Sequence, residues 1–155
     1  MQFELLTDWE FEQPIERVWA ALHDVTSWPR WWPSVKRVEL LQVGDAYGVG
    51  AKHRLLWLTA LPYSLSFVTT ALRVESPHLL EARAEGDLQG RGVWTLRRTE
   101  RGTAVRYDWR VDVTETWMRV LAPLLRPVFT WNHNVVMERG RRGLLREFER
   151  RGSTE

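Results

Sequence analysis

Residues 116–151, TWMRVLAPLLRPVFTWNHNVVMERGRRGLLREFERR, form the one long segment of the chain whose apolar positions recur at helical spacing. Phe129, His133, Val136, Gly140, Leu144 and Phe148 step by three or four and so share one helix face, while Glu138, Arg141, Arg142 and Glu149 fall elsewhere. A helix with one apolar stripe needs an apolar partner. The segments before it read as strands with one apolar side, and such a sheet and such a helix complete each other as two layers. Pro123 and Pro127 interrupt the pattern early, which predicts a break or kink ahead of the main helix.

Working outward from that helix, the cleanest strand is the one before it. Val105, Tyr107, Trp109, Val111 and Val113 alternate with Arg106, Asp108, Arg110 and Asp112. The same period of two recurs in Phe3 to Phe11, in Val35 onward, in Ala51 to Trp57 and in Leu80 to Ala84. It recurs again in Leu88 to Arg98, where Trp94 and Leu96 face inward and Gly90 and Gly92 predict tight curvature or close approach. The stretch 63–75 changes phase. Tyr63, Leu65 and Phe67 read as inward at its start and Leu72 and Val74 at its end, so a bulge lies between them. Pro14 with Ile15, Val18, Trp19 and Leu22 reads as a short helix after the first strand, and Thr26 to Trp32 as a second. The order is one strand, two short helices, six strands and a long helix.

A chain of 155 residues without a linker is one domain, spanning 1–155. The absence of cysteine excludes disulfides, thiolate metal sites and a cysteine nucleophile, and it points to a cytoplasmic compartment. The first residues alternate and carry acids, and no apolar run approaches bilayer length, so neither export nor membrane insertion is expected. The net charge is only +2, and its basic excess is local, with six arginines against three glutamates between Glu138 and Arg151. A solvated helix end near the negative pole of its dipole accounts for that excess, with an anionic partner such as a membrane or RNA as the alternative, and no nucleic-acid motif accompanies it. Ten tryptophans are unusual for this length and suit a large apolar wall that needs polar handles.

This order resembles the helix-grip fold of the START-like, or SRPBCC, superfamily, the polyketide cyclase/dehydrase and lipid transport group. The resemblance rests on the opening strand followed by Pro14-Ile15-Glu16-Arg17-Val18-Trp19, on Asp24 to Trp32 with Trp28 and Trp31, on Gly44-Asp45 with Gly48 to Gly50, and on the final amphipathic helix. It implies an α+β domain in which a curved antiparallel sheet wraps a C-terminal helix around a cavity for an apolar or aromatic small molecule. None of these features is a catalytic signature, so the resemblance carries fold more than chemistry.

The residues themselves nominate the site. Trp57, Trp94, Tyr107 and Trp109 hold inward strand positions and offer indole N–H and phenol groups to a ligand, and Phe129, His133 and Val136 face them from the helix. Ordinary core packing is the competing reading for each. His53 and His133 are the candidate proton carriers, expected on opposite walls of one cavity; the alternative is a buried histidine satisfied by its neighbours. Asn132 could donate to a carbonyl, and Trp28, Trp31 and Trp32 either lid the cavity or fasten their segment to the sheet. Arg119 and Arg126 flank the apolar run 120–125 and mark an amphipathic surface. No metal is expected, since there is no HExxH pair, and no phosphate loop or other cofactor motif is present. Three functions remain open: a carrier or sensor of a hydrophobic small molecule, a cyclase or dehydratase using the cavity histidines, and a module that docks on a protein or membrane.

Overall fold

The computed structural model describes residues 2–114 and 116–152. The elements are β1 (Gln2–Phe11), α1 (Ile15–His23), a single turn of tighter helix (Val25–Ser27), α2 (Trp28–Trp31), β2 (Val35–Gln42), β3 (Lys52–Leu58), β4 (Ser64–Glu75), β5 (Leu79–Gly86), β6 (Leu88–Arg98), β7 (Thr103–Val113) and α3 (Thr116–Gly152). The seven strands form one antiparallel sheet in the order β1-β7-β6-β5-β4-β3-β2, so the first strand pairs with the last and the rest follow as a meander. Its inner face grips α3, which is the helix-grip arrangement of an α+β domain.

The sheet is curved strongly enough to bring distant strands into side-chain contact. Phe67 on β4 and Trp109 on β7 have two strands between them, yet their rings lie 5.9 Å apart. Gly92 on β6 contributes to this closeness, because a Cβ there would stand 2.6 Å from the Tyr107 hydroxyl. The phase change in β4 is a register shift between Ala71 and Arg73 opposite β5. Leu65, Phe67, Thr69 and Ala71 therefore face the interior, and Val74 faces it again after the shift. Leu72, expected inward, is instead the extra residue, because one of two consecutive bulge residues must leave the alternation.

The expected break at the prolines does not occur. α3 runs unbroken from Thr116 with Pro123 and Pro127 inside it. Each proline removes one N–H from the helix ladder, and both lie at exposed positions of the helix.

Two apolar clusters fill the space between the layers. One joins α1, α2 and the C-terminal half of α3 to the sheet through Trp9, Trp19, Trp28, Trp31, Trp32 and Leu144; the other sits under the N-terminal half of α3 and holds Phe3, Phe67, Trp109, Met118 and Ala122. All three tryptophans of the short-helix segment are buried, and Trp32 fastens it to α3 by donating its indole N–H to the Val136 carbonyl at 2.9 Å. Arg30 adds an ion pair to Glu147 at 2.9 Å. Burial pushes the Glu147 carboxyl up, but Arg30 and Arg150 more than offset this and hold it below the usual range.

Candidate functional site

Inward positions on the strands and the inner face of α3 line two chambers among the described residues. The larger, about 430 Å³, lies against β3, β4 and β5 and is roofed by Trp28 and by the segments around His23 and Gly44. The smaller, about 120 Å³, lies beneath the N-terminal half of α3, between Met118, Phe129, His133 and Val136 above and Phe3, Leu5 and Val111 below. Trp57, Phe67, Tyr107 and Trp109 line both. These four form a stacked aromatic partition, with Trp57 on Phe67 at 6.3 Å and Tyr107 on Trp109 at 5.9 Å. Their positions follow from the period of two on β3, β4 and β7, which aims every second side chain at the same space.

The nominated residues divide accordingly. Trp57, Tyr107 and Trp109 stand in the partition, and Phe129, His133 and Val136 line the smaller chamber. Trp94 lines only the larger one, stacked on Tyr107 at 4.1 Å. The two histidines are not brought together. His53 lines the larger chamber and His133 the smaller, where both had been expected on opposite walls of one cavity. Trp57, Phe67, Tyr107 and Trp109 are the side chains that the two chambers share.

The electrostatics of the two sites also differ. Burial lowers the pKa of His53, with Asp24 acting against this and His23 with it. Burial lowers that of His133 further, to about 4, so its imidazole is neutral at pH 7; Asn134 beside it offsets this in part. Neither ring nitrogen of His133 has a hydrogen bond of good geometry, and the Trp57 indole N–H is likewise buried without a partner. Neither chamber is lined by lysine or arginine among the described residues. Burial pushes the Tyr107 phenol up, which keeps it protonated.

Asn132 is not a free donor. Its Oδ1 accepts from the Ala60 backbone N–H at 2.7 Å and its Nδ2 donates to the Tyr63 hydroxyl at 3.1 Å, so it straps the β3–β4 connection to α3. Reasoning on the sequence missed Thr59, Tyr63, Leu88 and Met118 as lining residues. Thr59 lies in a connection where no period applies, Tyr63 was read as inward but not as a lining residue, and Met118 lies before the prolines. Leu88 was legible, since it keeps the inward phase of Trp94 and Leu96 along β6.

Comparison with protein families matches residues 7–151 to Polyketide cyclase / dehydrase and lipid transport. The chain belongs to this family. Among solved structures, a START superfamily protein from Mycobacterium smegmatis superposes with a TM-score of 0.75 at 15% identity, covering 96% of this chain and 97% of the other. TTHA0849 from Thermus thermophilus gives 0.72 at 17% identity, covering 94% and 99%. The di-domain ARO/CYC StfQ of the steffimycin biosynthetic pathway gives 0.68 at 11% identity, covering 94% of this chain and 52% of StfQ. At these identities the likeness is one of fold. No curated protein matches the chain.

Proposed function

We propose that this protein binds an apolar small molecule carrying a neutral hydrogen-bonding group, and serves as its carrier or sensor. The larger chamber, about 430 Å³, falls within the range of about 300–1,000 Å³ usual for small-molecule pockets and takes most of the ligand's body. The observation that carries the reading is the set of buried, unpartnered polar atoms in mostly apolar walls, Trp57 Nε1 on the partition and Nδ1 and Nε2 of His133, while Asp24, His53 and Thr69 are polar members of the larger chamber's lining. A buried donor or acceptor without a partner costs about 1–3 kcal/mol, so a ligand hydroxyl or carbonyl that meets these atoms recovers free energy on binding. A carboxylate would enter walls without a basic side chain other than histidine and lose its hydration uncompensated.

The same geometry weighs against the cyclase or dehydratase reading. General acid–base catalysis works best with a pKa near the operating pH, and His133 sits near 4 with no second imidazole facing it. Native mass spectrometry of the purified protein tests the proposal. One neutral apolar compound per chain is the expected result, and preferential retention of a fatty acid over the alcohol of equal chain length would contradict it.

A further inference from the structure

The N-terminal half of α3 is apolar on two sides. Its inner side, with Met118, Ala122, Phe129 and Val136, covers the sheet. On the outer side Trp117, Leu121, Leu124, Val128 and Trp131 step by four, three, four and three, and all are exposed, Leu124 to 78%. Val135 continues this line and Val120, 71% exposed, flanks it. At 1.5 Å per residue the run from 117 to 135 is about 27 Å long. A continuous apolar strip of this kind marks an interaction site rather than scattered surface residues.

We propose that this face of α3 docks on an anionic lipid bilayer surface. The charge on the same helix line identifies the occupant. Residues 116–137 contain no acid, and beyond Val135 the line continues through Arg139, Arg142 and Arg146. Arg139 and Arg146 make no ion pair or side-chain hydrogen bond among the described residues. The nearby acid Glu138 is already held by Arg141 at 2.6 Å and Arg142 at 3.1 Å. A shallow depression of Trp131, Asn134, Val135, Glu138, Arg139 and Arg142 lies where the apolar and basic runs meet.

A helix lying in the membrane interface uses both runs together. Its apolar side chains enter about 5–10 Å into the boundary between headgroups and acyl chains, while its arginines meet anionic headgroups. Tryptophans at both ends of the strip suit the headgroup level. A second copy of the chain fits less well. Laid antiparallel over the strip it leaves the arginines unmatched, and laid parallel it sets arginine against arginine. The face lines neither chamber, so this docking is independent of the ligand reading.

The test is co-sedimentation of the full chain with vesicles of phosphatidylcholine, alone or mixed with phosphatidylglycerol. The expected result is partition onto the mixed vesicles at least about tenfold above phosphatidylcholine alone, weakened by added salt. Leu124→Glu, at an exposed position, should abolish partition while leaving thermal unfolding unchanged, and the double variant Arg139→Glu, Arg146→Glu should lose the preference for phosphatidylglycerol. Wild-type protein that stays in the supernatant with both vesicles overturns the proposal, as does Leu124→Glu that sediments like wild type. A stable dimer that Leu124→Glu dissociates also overturns it, because the face then belongs to a second copy.

Discussion

The indole of Trp32 occupies the space over Gly140 that a β-carbon would fill, with ring atoms Cζ2 and Nε1 2.8 Å from that point, while its N–H bonds the Val136 carbonyl one turn earlier on α3. Gly140 thus sits on the apolar face of α3 to admit a neighbour rather than to break the helix. Helix propensity alone predicts that Gly140→Ala gains about 1 kcal/mol. The packing predicts the opposite, because the ring and its hydrogen bond must shift, at a cost of about 1–3 kcal/mol. A urea melt that shows a lower midpoint supports the packing account, and a higher midpoint rejects it.

The sheet's facing is tested on β7. Trp109 is buried in the aromatic partition and Arg110 points to solvent, where it pairs with Asp108 at 3.5 Å. Trp109→Asp buries a charge without a partner and should destabilise by more than about 3 kcal/mol, whereas Arg110→Gln should change stability by less than about 0.5 kcal/mol. Chemical denaturation that shows comparable losses in both variants is incompatible with this facing.

Burial of His133 has a signature in acid. Its folded-state pKa is lowered from 6.5 to about 4, so between these values the unfolded chain binds a proton that the folded chain does not. Stability therefore falls as pH drops through about 6.5 towards about 4, and the slope ends once the folded state also protonates. Over that window His133 should cost up to about 3 kcal/mol of stability, and His133→Leu should lack that part of the slope. Unfolding free energies for the two proteins that run parallel across the window would show that His133 is not buried neutral.

These outcomes separate what the chain displays in its sequence from what it does not. The alternation from Val105 to Val113 and the stripe from Phe129 to Phe148 were sufficient for the sheet, the gripping helix and the inward aromatics, because each rests on a period of a single element. The division of the interior was not legible. It depends on Trp57, Phe67, Tyr107 and Trp109 meeting across a curved sheet, and curvature leaves no local period. His53 and His133 were therefore each placed inward yet assigned to one space. The role of Gly140 was hidden for a similar reason, since spacing shows which face a residue shares and not which ring it admits. Pro123 and Pro127 misled as to a break, since spacing alone does not show whether a helix absorbs a proline, and both sit at exposed positions of an unbroken α3.

The central claim is that the interior holds a neutral apolar ligand whose body lies in the larger chamber. Ala82 lines that chamber from β5 and is not among the residues lining the smaller one. Fluorescence titration with a neutral apolar probe such as Nile red, on wild type and on Ala82→Phe of equal fold by circular dichroism, measures the claim directly. Filling the chamber should weaken binding by about tenfold or more, the loss expected when a ring displaces ligand from a packed pocket. Equal affinity in the two proteins would place the ligand elsewhere and contradict the account.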